Sequence, residues 1–280
     1  MENILNILPN NFILLMLTIL FAGFVRGFLG FGSGLIIMPI LSFLYSPIFA
    51  IVFSIIIEIP STIYLTFEGA RKCKFKEIMP MFFSMMVAFP IGIFFLISIN
   101  AEIVKIIMSI FVIFFVILIA TGWRLKTTIT KYILVISGAL GGLMGGIAGI
   151  AGPPIVTVLL SKGDSNDVTR GNILIMFTGV VLIAIISLYY FNLFSKSLLL
   201  LGVITSPFYI IAVITGSRYY SFSGNKYYRN ISLLILGIIG VSTLIGAIYY
   251  QIATSIIFFI TVGSPDFLKL FFFIHLYFKK

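Results

Sequence analysis

The chain has 280 residues, of which 61% are hydrophobic and 9% are charged, and its mean hydropathy is +1.23. A soluble globular domain has about half apolar and about a quarter charged residues, so this composition excludes that class and indicates a polytopic membrane protein. The net charge of +10 comes mostly from basic residues between apolar runs, which is typical of membrane topology, and we expect no nucleic-acid partner.

Apolar runs recur along the chain in two similar series, and most of them are long enough to cross a bilayer. The first series comprises residues 11–29, 35–45, 47–67, 78–98 and 102–122, and the second comprises residues 131–147, 152–160, 170–191, 197–217 and 230–250. Each series has a long run, a glycine-rich interruption, a short run and three full-length runs. The segment before residue 11 lacks the positive region and the cleavage site of a signal peptide, so we expect a retained first helix.

The glycine-rich interruptions of the two series coincide at a single offset. Five residues of the first lie 115 positions before five identical residues of the second: Gly23, Gly27, Gly30, Gly34 and Pro39 against Gly138, Gly142, Gly145, Gly149 and Pro154. This indicates an internal duplication, a common plan of transporters. We expect a first repeat over residues 1–126, a second over 127–250, and an apolar tail over 251–280 that forms a broken extra span or an interfacial hairpin.

The spacing of these glycines allows two interpretations, which can coexist. Glycines spaced 4, 3 and 4 apart lie on one helix face and suit close packing of helices. Residues 11–45 as one helix, however, would be roughly 50 Å long, which is too long for one crossing without a large tilt. Pro39 and the Pro153–Pro154 pair also disfavour helix just before them. We therefore expect a broken or re-entrant segment in each half.

The basic residues between the runs favour a return of each broken segment to its starting side. Straight crossings would divide the loop Lys and Arg residues 8 to 6, whereas a return divides them 12 to 2, with only Lys105 and Lys196 on the minority side. The positive-inside rule favours the second arrangement, with the basic side cytoplasmic and the N-terminus outside. If each broken segment instead crossed the membrane fully twice, the basic residues would divide between the two sides in the same way. Either version predicts an all-α membrane protein of two inverted repeats, each with a broken or re-entrant segment plus three transmembrane helices.

Two quoted stretches carry a family resemblance. GFVRGFLGFGSGLIIMP (residues 23–39) and GALGGLMGGIAGIAGPPIV (residues 138–156) resemble the paired glycine-rich motifs of the TauE/SafE family of membrane proteins. The similarity covers roughly residues 11–250. That family is associated with export of sulfite and organosulfonates across the bacterial inner membrane. The resemblance therefore implies a multi-pass anion transporter of that membrane, without naming the anion.

The two interruptions predict an anion-binding site where they meet. Broken helices expose unpaired N–H groups and positive dipole ends, and glycine lets an oxyanion approach the backbone closely. Arg26 adds a permanent charge, and Ser33 adds a hydroxyl. The candidate substrate-binding residues are Arg26, Gly30, Gly32, Ser33, Gly34, Gly145, Gly146, Gly149, Gly152 and Pro154.

Three charged residues have competing interpretations. Arg26 is either a substrate ligand or a structural charge that pairs internally or reaches the interface. Glu58, midway along the run 47–67, is either a proton-coupling carboxylate or a fixed partner of Arg26, and the two roles are compatible. Arg170 either attracts anions at the cytoplasmic entrance or belongs to a structural loop in which Ser165 or Asp167 caps a helix.

An enzymatic function is not expected. With one histidine, one cysteine and eight acidic residues, the chain shows no Ser/His/Asp constellation, no metal ligand set and no phosphate-binding loop, so we expect no cofactor and no metal. We expect a secondary transporter in the lipid bilayer that exports a small sulfur oxyanion or sulfonate, with protons as the candidate coupling ion. A passive anion channel and a structural membrane subunit are the alternatives, and the oligomeric state is left open.

Overall fold

A computed structural model describes residues 11–120 and 128–223, with the backbone alone for residues 109, 112–120 and 223. This part of the chain forms nine helices and no strand, and six of the helices are long and apolar enough to cross a membrane. The helices are α1 (Phe12–Leu29), α2 (Ser33–Leu44), α3 (Pro47–Ala70), α4 (Phe75–Ser98), α5 (Ala101–Ala120), α6 (Lys131–Ala148), α7 (Gly152–Ser161), α8 (Asn166–Tyr190) and α9 (Lys196–Ser223). The all-α polytopic class is thereby confirmed. The run 230–250 and the tail 251–280 lie outside the described residues.

Both glycine-rich segments are broken, as the sequence predicts. The first break separates α1 from α2, and Gly30 ends α1 in the left-handed conformation at φ 87°. The second separates α6 from α7, where Gly149 has φ 66°. Residues other than glycine rarely adopt this conformation, so glycine sets the position of both breaks. Pro39, expected to disfavour helix, instead lies inside α2.

The second broken segment folds back on itself. The hydroxyl of Ser137 donates a hydrogen bond of 2.7 Å to the carbonyl oxygen of Pro154. In one continuous helix these residues would be about 25 Å apart at 1.5 Å per residue. A Cβ placed on Gly141 would also lie 2.7 Å from the Ile155 side chain. The helix α7 therefore runs back along α6. Its 10 residues extend about 15 Å, which is too short for a second full crossing, so the pair is a re-entrant hairpin.

The first broken segment also returns. Ser33, at the start of α2, donates to the carboxylate of Glu58, midway along α3. Since only two residues separate the end of α2 from the start of α3, the two helices are antiparallel. α1 runs parallel to α9, because Gly23 lies against Tyr209 and Gly27 against Val213.

Ion pairs between loops fix which ends share a face of the bundle. Nζ of Lys74, in the loop after α3, lies 3.1 Å from Oδ1 of Asp164, in the loop after α7. Lys162, at the end of α7, forms an ion pair with Glu77 at the start of α4. These helix ends therefore lie on one face, which we call the basic face. Eight basic residues among those described belong to it: Arg71, Lys72, Lys74, Lys76, Lys131, Lys162, Arg170 and Arg218. The α6–α7 hairpin begins and ends on the basic face, and the α1–α2 hairpin on the opposite one.

The basic residues of the described helices follow the expected division. Lys105 and Lys196 lie at the starts of α5 and α9, on the face opposite the basic one. Four residues of the expected majority, Arg124, Lys126, Lys226 and Arg229, lie outside the described part.

The hairpins pack against helices from the other half of the chain through glycine. Gly138 and Gly142 on α6 face the carbonyl oxygens of Met81 and Met85 on α4. Gly23 and Gly27 on α1 face the carbonyl oxygens of Tyr209 and Val213 on α9. Tyr209 lies 128 positions after Met81, and Val213 lies 128 positions after Met85. Absence of side chains on the glycines lets the helix backbones approach closely. The small-residue packing and the breaks therefore coexist in one segment.

Candidate functional site

Arg26 lies near the end of α1, and only 1% of its surface is exposed. Its Nη2 atom is 3.5 Å from Oε2 of Glu58 and donates a 3.3 Å hydrogen bond to Oγ1 of Thr62. The guanidinium carbon lies 5.3 Å from the ring centre of Phe177 on α8. A buried charge is costly unless it is paired, and Glu58 supplies the opposite charge.

Glu58 connects Arg26 to two further helices. Its Oε1 atom accepts hydrogen bonds from Oγ of Ser33 on α2 and, at 3.4 Å, from the hydroxyl of Tyr209 on α9. Glu58 as a whole residue is 94% buried, and Tyr209 is fully buried. We call Arg26, Ser33, Glu58, Thr62 and Tyr209 the central cluster. It brings α1, α2, α3 and α9 together at the first break.

The guanidinium of Arg26 is only partly satisfied. Its Nε and Nη1 atoms are buried and have no hydrogen-bond partner. Unpaired donors of this kind are rare in folded proteins, because an unmade hydrogen bond in an apolar interior costs free energy. An anion placed against either nitrogen would satisfy it with a charge-assisted hydrogen bond. The central cluster therefore has unused capacity for an anion.

The two breaks contact each other beside this cluster. A Cβ placed on Gly34 would lie 2.2 Å from the carbonyl oxygen of Gly149. Gly152, at the start of α7, lies next to the ring of Phe177, which also faces Arg26. The N-terminal ends of α2 and α7, which carry partial positive charge, are thus both near the guanidinium.

The other glycines of the expected site serve different contacts. Gly30 lies against Leu174 of α8, and Gly32 lies against Val25. Gly145 and Gly146 face Phe89 of α4. These positions pack helices, and a direct role in anion binding stays a prediction for them.

Pro154 also has a structural contact, since its carbonyl oxygen accepts the hydrogen bond from Ser137 within the α6–α7 hairpin. A binding role for Pro154 likewise stays a prediction.

Arg170 is buried on α8 and holds the end of α1. Its Nη2 atom donates a hydrogen bond of 2.7 Å to the carbonyl oxygen of Gly27, and its Nε atom donates one of 3.3 Å to the carbonyl oxygen of Phe28. Its Nη1 pairs with Glu68 of α3, whose other oxygen accepts from Ser217 of α9. We call Arg170, Glu68 and Ser217 the Arg170 clamp.

These contacts favour the structural interpretation of the loop before α8. Ser165 caps that helix by accepting from the backbone nitrogen of Val168. The guanidinium of Arg170 also lies 4.2 Å from the ring centre of Tyr220, whose hydroxyl donates to Asp167. An entrance role for Arg170 stays a prediction, and it requires these contacts to open.

Sequence analysis missed four members of these two arrangements, Thr62, Tyr209, Glu68 and Ser217, and also missed Phe177 beside Arg26. Thr62 could have been found, since it lies one helical turn after Glu58 and so shares its face. Tyr209 and Phe177 lie inside apolar runs more than 100 residues from Arg26, without a local signal. Glu68 directly follows the apolar run 47–67, so in the sequence it resembles an ordinary loop charge, and only the structure shows its ion pair with Arg170.

No group of three or more His, Cys, Asp or Glu side chains that could hold a metal ion occurs within residues 11–120 and 128–223.

Comparison with known proteins gives a family match over most of the chain. The family model described as "Sulfite exporter TauE/SafE" matches residues 15–243, which include both broken hairpins and the central cluster. No curated protein and no solved structure matches the chain.

Proposed function

The chain belongs to the sulfite exporter TauE/SafE family, and we propose that it is a secondary transporter that exports sulfite or an organosulfonate across the bacterial inner membrane. The family is one of membrane permeases rather than enzymes. The six long apolar helices agree with a multi-pass membrane protein. We propose protons as the coupling ion.

One observation carries the proposal: Arg26 is buried where two broken helices meet, with two of its nitrogens unpaired. A purely structural charge would be expected to use all its donors. The N-terminal ends of α2 and α7 add positive potential at the same place. Discontinuous helices that point their N-termini at an anion near the middle of the membrane are a recurring feature of secondary transporters.

We also propose that residues 1–126 and 127–250 are inverted repeats that move against each other. The two hairpins enter from opposite faces, and each packs on a helix of the other half. This packing of each hairpin on the other half supports alternating access, because rocking of one half against the other would expose the central cluster to each side of the membrane in turn. A passive anion channel would need the same site without this movement.

The experiment is flux in proteoliposomes with the purified chain. Sulfite, sulfate, thiosulfate, taurine, sulfoacetate, methanesulfonate and small carboxylates are loaded separately, and efflux is followed for wild type and Arg26→Ala. We expect saturable flux of at least one sulfur anion and a loss of ~10-fold or more in the variant, as removal of one charge-assisted hydrogen bond predicts.

The matched control is Lys105→Ala. Lys105 is a basic residue near a helix start, paired with Glu102 and far from the central cluster, so its removal should leave flux unchanged. Flux that never saturates would favour a channel, and absence of flux for every anion would favour a structural subunit. Equal flux in wild type and Arg26→Ala would remove Arg26 from the site.

A further inference from the structure

The charge of the central cluster limits what can enter it. Among the described residues, the buried charged side chains are Arg26, Glu58 and Arg170, and Arg170 is paired with Glu68. Arg26 and Glu58 therefore form an isolated pair whose net charge is zero. Any anion bound at Arg26 would make this apolar region negative unless another charge changes.

Each helix around Glu58 contributes an identifiable group. Arg26 of α1 is the charged side chain that pairs with it, and Ser33 of α2 and Tyr209 of α9 donate hydrogen bonds. From its own helix, Ser61 donates to the backbone oxygen of Glu58, and Thr62 accepts from Arg26. The group facing the pair from α8 is the apolar ring of Phe177. Among these neighbours Glu58 is the carboxylate, so it is the group that can take up a proton.

Glu58 cannot easily move away when an anion arrives. Its side chain is buried, and an ionised carboxylate without partners is costly in apolar surroundings. If it stayed ionised beside Arg26, it would repel the incoming anion across a short distance. A proton on Glu58 removes the repulsion, keeps the side chain in place and turns one carboxylate oxygen into a hydrogen-bond donor.

We propose that Arg26 and Glu58 couple anion and proton movement in the same direction, so that the protein is an electroneutral symporter of one proton with one singly charged anion. This inference rests on the proposed function. In the empty carrier Glu58 is ionised and neutralises Arg26. In the loaded carrier the anion neutralises Arg26, and Glu58 holds a proton taken from the same aqueous side. Release of the anion on the other side restores the Arg26–Glu58 pair and expels the proton.

The charge balance sets the driving force. Both the empty and the loaded cluster are neutral, so the membrane potential does no work on the transport step. Export then continues as long as the concentration ratio of the anion, inside over outside, is larger than the concentration ratio of protons, outside over inside. A carrier of this kind relieves the accumulation of an anion that reactions inside the cell produce.

The test uses the full chain in proteoliposomes, with methanesulfonate or sulfite as the probe, whichever moves in the flux experiment. Methanesulfonate is preferred, because its single charge does not change with pH. With an outside one pH unit more acidic than the inside, one-to-one coupling predicts accumulation of up to about tenfold. A potassium diffusion potential set with valinomycin should leave the wild-type rate unchanged.

Glu58→Gln tests the residue itself. The amide is neutral in every state and cannot titrate, so flux should lose its acceleration by the pH gradient and become sensitive to the diffusion potential. Glu58→Asp keeps a titratable carboxylate and should retain coupling. Glu102→Gln, which removes an exposed carboxylate at the start of α5, should behave as wild type.

The outcomes separate the inference from the proposed function. Wild-type flux that follows the potential and ignores the pH gradient would overturn the symport inference and leave the transporter intact. Absence of flux for every anion would overturn the proposed function as well. If Glu58→Gln does not fold, the two wild-type measurements decide the question by themselves.

Discussion

At the scale of single residues, the glycines of the two breaks differ in how much space surrounds them. A Cβ on Gly34 would lie 2.2 Å from the carbonyl oxygen of Gly149, and this neighbour is backbone that cannot rotate away. A Cβ on Gly152 would meet the rings of Phe177 and Phe31 at ordinary distances of 3.5 and 3.6 Å. The contact between the two hairpins therefore depends on Gly34 more than on Gly152.

Gly34→Ala should destabilise the protein by about 1–3 kcal/mol, the usual cost of forcing an extra carbon into a packed site. Gly152→Ala should have a smaller effect. The measurement is the thermal unfolding midpoint of each purified variant in detergent, together with anion flux. If both alanines lower the midpoint equally, close contact between the breaks is not what requires glycine at position 34.

At the scale of helices, the Arg170 clamp joins four of them at the basic face. The last carbonyl groups of a helix lack intrahelical partners, and a positive charge near them is stabilising. Arg170 of α8 supplies both a donor and a charge to the end of α1, and it also holds Glu68 of α3. Opening of the central cluster toward the basic face requires these contacts to separate.

Cys73 lies in the loop beside this clamp, and it is the only cysteine of the chain. Its backbone nitrogen would be 3.1 Å from a Cβ placed on Gly171, the residue after Arg170. Burial raises the pKa of the Cys73 thiol to about 11, against a weaker lowering by Lys162. The thiol is therefore mostly protonated and slow to react near neutral pH.

Glu68→Gln should speed the labelling of Cys73 by maleimide tenfold or more, measured in detergent at pH 8. The substitution weakens the clamp and exposes the thiol, so its pKa should fall from about 11 toward 9.0 and its thiolate fraction should rise at any pH below 11.

Glu102→Gln, on the opposite face, is the control and should label at the wild-type rate. An unchanged rate in Glu68→Gln would show that the clamp does not govern access to this loop.

At the scale of the whole molecule, the two hairpins enter the bundle from opposite faces. The loops after α3 and α7 are joined by ion pairs on the basic face. Burial raises the pKa of Asp164, but hydrogen bonds from Lys74 and Lys162 outweigh that effect, so the net shift is downward. The positive-inside rule predicts that this face is cytoplasmic and that α1 starts outside.

Two introduced cysteines test this orientation in a Cys73→Ser background. Thr128→Cys, before α6, and Ser197→Cys, in the first turn of α9, are both exposed positions on opposite faces. In intact cells a membrane-impermeant maleimide should label Ser197→Cys, and Thr128→Cys should react only after permeabilisation. Labelling of both from one side would contradict the return of α7 along α6, and the reverse pattern would invert the orientation.

Much of the fold could be predicted from the sequence, because its signals are local. Hydrophobic length located the membrane helices, and the predicted first runs of each half end where α1 and α6 end to within a residue. Glycine clusters located both breaks, although Pro39 proved to be compatible with α2. The loop charges favoured a return of each broken segment, and the contact between Ser137 and Pro154 shows that return in the second half. The choice between a re-entrant hairpin and two full crossings needed the length of α7, whose 10 residues extend about 15 Å.

The sequence by itself determined that this is a membrane protein with two broken helices and that Arg26 and Glu58 lie inside apolar runs, because a charge inside an apolar run is visible without any structure. Only the tertiary structure decided that the two charges pair, that Tyr209 joins them, and that Arg170 is held by the end of α1. These partners come from helices far apart in the chain. Contacts between distant segments depend on how the helices pack, and no local pattern of residues records that packing.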